Sequence, residues 1–176
     1  PSHCPGHISI KGLKDLGLSL PPKFVENEIS GAVFYSPCGR EFRVRLASPV
    51  TYVVNRAMFD QYLAHLAEKS GAEILVGNKV ESLLLEKGFV NGVSLKNGQE
   101  LNSRIVIDAE GCASYLSKQI GLQRFNTSSV VTAVNGEVDN VKDAENNVVE
   151  VYLGQKYAPG LFAWIIPRRD GSAKVG

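Results

Sequence analysis

Apolar and polar residues alternate with a period of two over much of this chain, and hold a helical period over one long stretch. In that stretch Phe59, Tyr62, Leu63, Leu66 and Ala67 form one continuous apolar stripe. Asn55 before it is a good N-cap and Gly71 after it a stop, so the pattern predicts a helix between them. A shorter helix is expected around residues 9–16, closed by Gly17. Strands are expected over 28–36 and 41–46, joined by the turn Pro37-Cys38-Gly39, and over 51–54 and 72–76. A meander follows over 80–86, 89–95 and 99–108, with turns at Lys87-Gly88 and Asn97-Gly98. Asn91-Gly92 reads equally as a bulge or a second turn. A helix is expected after Gly111, ending near Gly121. From Val130 onward strands alone are expected, over 130–138, 148–153, 161–166 and from 173.

These elements sort into two interleaved zones, one α/β (51–121) and one antiparallel β (28–46 and 130–176). The fold class expected is therefore α+β, with a hairpin from one zone joining the sheet of the other. The chain has 176 residues, 44% of them apolar and 21% charged, which suits a globular core. Its net charge of +1 gives no field to attract nucleic acid or an anionic membrane. Cys4, Cys38 and Cys112 are too few and too separated for a metal site, and their odd number argues against a disulfide framework. A reducing, cytoplasmic setting is expected. No apolar run of about 18 residues and no signal peptide is present. The chain opens on Pro1 and stops at Gly176 in mid-strand, so it is expected to be an excerpt of a longer protein.

The segment Ile105-Val106-Ile107-Asp108-Ala109-Glu110-Gly111 reads as a buried strand that ends in an acidic residue and a glycine and then enters a helix. Such a turn can hold a nucleotide, because free helix N–H groups meet a backbone that a ligand can approach. Glu110 would repel a phosphate and suits ribose hydroxyls or an ordered water. The same pattern also serves as a purely structural turn. Arg56 sits in the first turn of the long helix, where a cation opposes the helix dipole. A docked phosphate would remove that penalty, and so would pairing with Asp60. His3-Cys4-Pro5-Gly6-His7 packs two imidazoles and a thiol into one loop without zinc-site spacing. Its thiol either donates a proton near a ligand or is incidental. Phe162, Trp164 and Ile166 alternate onto one strand face, which is either core or one wall of an apolar pocket. Neither a Walker loop, an H-E-x-x-H motif nor a G-x-G-x-x-G fingerprint is present.

The order of these motifs resembles the geranylgeranyl reductase family of flavoproteins, within the group that shares the p-hydroxybenzoate hydroxylase fold. The resemblance rests on the Cys4-Pro-Gly-His-Ile-Ser loop, Asn55-Arg56-x-x-Phe59-Asp60-x-x-Leu63, the V-I-D-A-E-G-x-x-S turn and the W-x-x-P strand followed by Gly171 and Val175-Gly176. It implies a partial FAD-binding domain over 1–27 and 47–124, lacking its first βαβ unit. It implies a substrate-binding sheet over 28–46 and 125–176, truncated at its C-terminal end. By the same resemblance Arg56, Glu110, Gly111 and Gly6 contact the cofactor, Cys4 is the catalytic residue, and Phe162, Trp164, Ile166 and Pro167 line the prenyl pocket. Ile166 stands where the family has phenylalanine, Glu110 where aspartate is commoner, and Lys118 near where related hydroxylases often carry arginine. The resemblance further implies that this chain alone does not retain FAD and is inactive by itself.

The activity implied for the full-length protein is reduction of isolated C=C bonds in prenyl chains, by hydride transfer from reduced flavin. A prenyl lipid or prenyl diphosphate and an electron donor are the expected partners, with peripheral contact at a membrane surface. Two alternatives share the sequence features: a flavin-dependent monooxygenase or halogenase, and a non-enzymatic lipid-binding module.

Overall fold

The computed structural model describes residues 4–122, 130–141 and 144–176; His3 lies outside them. The chain is mixed, rich in sheet and poor in helix. It forms two compact units, Pro1–Ala72 with Ala133–Gly176, and Glu73–Thr132. In chain order the first unit begins with β1 (His7–Ser9), α1 (Ile10–Asp15), β2 (Val25–Ile29), β3 (Gly31–Tyr35), β4 (Glu41–Arg45), β5 (Thr51–Val54) and α2 (Arg56–Lys69). The second unit carries β6 (Val80–Glu86), β7 (Phe89–Leu95), β8 (Glu100–Asn102) and α3 (Tyr115–Gln119). The first unit resumes with β9 (Gly136–Val138), β10 (Val148–Leu153), β11 (Phe162–Pro167) and β12 (Ala173–Val175).

Both expected helices of the first unit form where their caps direct. Ser9 Oγ accepts from Gly12 N, and Asn55 Oδ1 accepts from Met58 N, each satisfying an N–H at a helix start. Gly17 and Gly71 follow the helix ends at φ +66° and +94°, a conformation that other residues adopt at a cost.

Two sheets build this unit. One has the order β1-β5-β2 and the other β4-β3-β10-β11-β12-β9. The strand expected over 28–36 is broken at Ser30: β2 pairs with β5 in the first sheet, and β3 pairs with β4 and β10 in the second. Ser30 bridges the change of sheet by donating its N–H to Asn147 O and accepting from Leu46 N. The β3–β10 pair is parallel, so the larger sheet is mixed rather than antiparallel throughout.

Alternation along β5 explains the core. Val53 faces the six-stranded sheet and joins Ile29, Val149 and Ile166 in one buried cluster. Val54 points the other way and joins Leu13 of α1 and Phe59 of α2, with Tyr52 and Leu63 beside them. Full burial of each such side chain contributes roughly 1.5–3 kcal/mol. The buried Lys174 and the half-buried Arg168 both approach Glu26 Oε2 at 3.3 Å, and Arg168 also pairs with Glu137.

In the second unit β6, β7 and β8 form the expected meander. Lys87 and Gly88 turn with φ of 50° and 83°. Asn91-Gly92 is a bulge: Leu84 pairs with Gly92 and Leu85 with Val90, leaving Asn91 over. The helix α3 is tied to β6 by Gln119, whose side chain accepts from Leu83 N and donates to Glu81 O.

Three expected strands differ. Residues 72–76, 103–108 and 130–135 are not paired as strands. A β-strand needs a ladder of bonds for its N–H and C=O groups, and among the described residues these segments join none; Ser103 alone continues from β8 with a bond to Asn91 O. Their apolar side chains are accordingly open: Val76 is 87% exposed and Ile107 84%.

The two sheets of the first unit are also tied by one polar side chain. Asn27, 4% exposed on β2, donates through Nδ2 to Pro167 O at 2.8 Å and to Asn146 O. Asn27→Ala leaves both carbonyls without that donor, and should lower stability by about 1–3 kcal/mol in urea unfolding. An unchanged midpoint would show that the tie contributes nothing.

Candidate functional site

The antiparallel register of β1 and β5 assembles the first cluster. His7 lies opposite Val53. Continuing that register by three residues sets Cys4 beside Arg56, and Arg56 Nη1 donates to Cys4 Sγ. Gly6 lies between them at φ +72°, and a Cβ there would stand 2.2 Å from Val54 O, so only glycine permits this approach. Arg56 also pairs with Asp60, Nε and Nη2 donating to Oδ1 at 3.1 and 3.0 Å. Burial opposes the guanidinium charge, but the bonds to Asp60 and Cys4 outweigh it and push the pKa up. The Arg56 side chain stays 26% accessible.

A cleft of about 480 Å³ lies between the two sheets, beside their shared core. This is within the usual range for a ligand pocket, about 300–1,000 Å³. Phe34, Val151, Phe162, Trp164 and Ile166 line it from the six-stranded sheet, and Pro5, His7, Ile29 and Thr51 from the other side. Among the expected pocket residues, Phe162, Trp164 and Ile166 thus share one wall. Pro167 lies past them, buried at the strand end where its carbonyl receives Asn27. Trp164 Nε1 is buried without a hydrogen-bond partner. His7 is open to the cleft, and its Nε2 is bonded to Thr51 Oγ1. Protein crowding on its other sides lowers its pKa from the ordinary value of 6.5.

Glu110 and Gly111 belong to the second unit. There the acidic turn satisfies its own backbone. Glu110 Oε2 accepts from Leu116 N at 2.8 Å, Asp108 Oδ1 from Glu110 N at 3.0 Å, and Gly111 O from Ser114 Oγ at 2.8 Å. The Ser117 hydroxyl, together with the Glu110 N–H, holds the Asp108 carboxyl below its usual range. A Cβ at Gly111, where φ is +69°, would meet nothing within 4 Å.

Arg56 is a charged and accessible donor at a helix start, and Gly111 leaves open space beside the backbone. Among the described residues no cluster of three metal-ligating side chains exists, and no helix is long and apolar enough to cross a membrane. Sequence reasoning missed Thr51, Phe34 and Val151 as cleft residues. Their signal was the alternation in β3, β5 and β10, unusable until the two sheets were known to face each other.

A profile of the tryptophan halogenase family matches residues 41–152. The chain belongs to that family. Its curated relatives include the digeranylgeranylglycerophospholipid reductase of Methanocaldococcus jannaschii, 32% identical over 96% of this chain and 44% of the relative. A solved geranylgeranyl bacteriochlorophyll reductase-like protein from Thermoplasma acidophilum superposes with a TM-score of 0.86 at 28% identity, covering 99% of this chain and 46% of that one. A flavin-dependent brominase superposes with a TM-score of 0.76 at 19% identity, covering 99% and 47%, and shares the fold. The resemblance to geranylgeranyl reductases is borne out by these relatives. The chain spans under half the length of the relatives it matches.

Because burial lowers the His7 pKa, the unfolded chain takes up its proton first as pH falls through 6.5. The stability tied to the neutral imidazole is present above that value and lost on acidification. Between about pH 7 and pH 5 the thermal midpoint should fall less in His7→Gln than in the parent protein. Parallel curves would show that the site does not favour the neutral ring.

Proposed function

We propose that the whole protein is an FAD-dependent oxidoreductase that saturates isolated C=C bonds in prenyl chains. One observation carries this reading: an apolar cleft of prenyl dimensions lies one residue from the Cys4–Arg56 pair. The names of the relatives point the same way. Residues 1–27 and 47–124 would serve the nucleotide, and 28–46 and 125–176 the substrate. Arg56 would bind a cofactor phosphate, exchanging part of its pairing with Asp60 for it. Gly6 would keep the Cys4 loop close to Arg56, Gly111 would admit the cofactor along the backbone, and Glu110 would face sugar hydroxyls while keeping its cap on α3. Reduced FAD, when bound, supplies the hydride. Phe162, Trp164 and Ile166 would hold the chain and exclude water, with Pro167 anchoring the end of their strand, and Cys4 would hold a proton at Sγ for the substrate carbon. The substrate is a prenyl lipid or prenyl diphosphate, taken up by a protein that is cytoplasmic or rests against a membrane, and an external donor reduces the flavin.

A second reading, a flavin halogenase or monooxygenase, is favoured by the halogenase profile itself. The two separate in one experiment on the whole protein. Anaerobic dithionite reduction followed by a prenyl lipid should add hydrogen to the chain, seen by mass spectrometry. Oxygen-dependent NAD(P)H consumption without saturation would support the second reading. Bound lipid with no flavin would support a carrier.

Arg56→Ala should weaken FAD retention by about 1.5–3 kcal/mol, or roughly ten- to hundred-fold, the worth of a charged hydrogen bond. Unchanged flavin content in dialysed protein would remove Arg56 from the cofactor site.

A further inference from the structure

The walls of the cleft are unlike. From the six-stranded sheet it receives hydrocarbon, in Phe34, Val151, Phe162 and Trp164. From the other side it receives His7 and Thr51, bonded to each other through Nε2 and Oγ1. Two further polar groups belong to lining residues: Ser30 Oγ, which accepts from Asn147 Nδ2 at 2.8 Å and keeps its own O–H, and the Trp164 indole N–H, which is itself buried. Among the described residues the lining contains no lysine, arginine or carboxylate, and His7 is its one titratable group. β5 faces His7 with Val53 and Thr51; the Cys4–Arg56–Asp60 cluster stands three residues back along the register.

Counting protons defines what this pair can do. A neutral imidazole carries one N–H and a threonine one O–H. Their mutual bond uses one of these protons, whichever tautomer is present. One donor proton therefore always remains, with no net charge beside it. An anion placed here would be desolvated without a counter-charge, which is costly, whereas a neutral oxygen would be satisfied.

We propose that His7 and Thr51 form a polar subsite that recognises an uncharged oxygen, hydroxyl or ether, on an otherwise hydrocarbon ligand, and so sets where the chain lies along the cleft. This rests on the cleft being the prenyl site. It makes the pair a specificity determinant, and a diphosphate head, where a substrate has one, lies outside the cleft.

Equilibrium dialysis of the oxidised whole protein tests it, using geranylgeraniol, its methyl ether, phytane and geranylgeranyl diphosphate. The alcohol and the ether should each bind more tightly than phytane, on the order of three- to ten-fold, the worth of one net hydrogen bond. In the His7→Phe, Thr51→Val double variant that advantage should vanish while phytane still binds. Equal binding of alcohol, ether and phytane by the unaltered protein would overturn the subsite and leave the cleft standing. An advantage for the diphosphate that grows at low pH would overturn it in favour of charge recognition. Failure of every chain to bind would overturn the cleft reading as well.

Discussion

The packing of Ile29 and Val53 against Val149 and Ile166 is the contact on which the rest of the first unit depends. It presses two differently built sheets together at one end. Beside this cluster, residues of both sheets line the apolar cleft. It is continuous with the core, sharing Ile29, Val149 and Ile166 with it. Asn27 fixes the closed end, where the Lys174, Arg168 and Glu26 group keeps its own charges compensated. One end is thus held by apolar contact and paired charge, and the other is free to accept a ligand.

The β1–β5 pairing performs a second service from the same strand. β5 turns Val53 into the inter-sheet core and Val54 into the helix layer, then ends at the cap of α2. Its antiparallel partner brings Gly6 against Val54 and Cys4 against Arg56. A thiol, a cation and an apolar wall thereby come within a few residues of one another without any long-range loop. The Gly6 contact explains why the loop tolerates no side chain at that point.

Local signals were legible in the sequence and partnership was not. Ser9, Asn55, Gly17 and Gly71 act on their own neighbours, so the caps and ends of α1 and α2 could be read directly. The stripe of Phe162, Trp164 and Ile166 was also legible as a face, but whether that face was core or pocket depended on the opposite sheet. It is both: Ile166 is buried in the core and Phe162 lies open in the cleft. The runs at Ile74–Val76 and Ile105–Ile107 have strand composition but no partner among the described residues, and composition cannot supply one. Ser30 carries no local mark of a change of sheet. The acidic turn at Glu110 was rightly read as the entrance to a helix, and its carboxylate proves to cap that helix.

The most direct test of the account uses the one tryptophan of the chain, Trp164, which lines the cleft. The difference in emission between the whole protein and its Trp164→Phe variant should change saturably as geranylgeraniol is added, with the same midpoint as binding measured independently. Lipid binding with no change in that difference would place the chain elsewhere and contradict a cleft between the two sheets as the prenyl site.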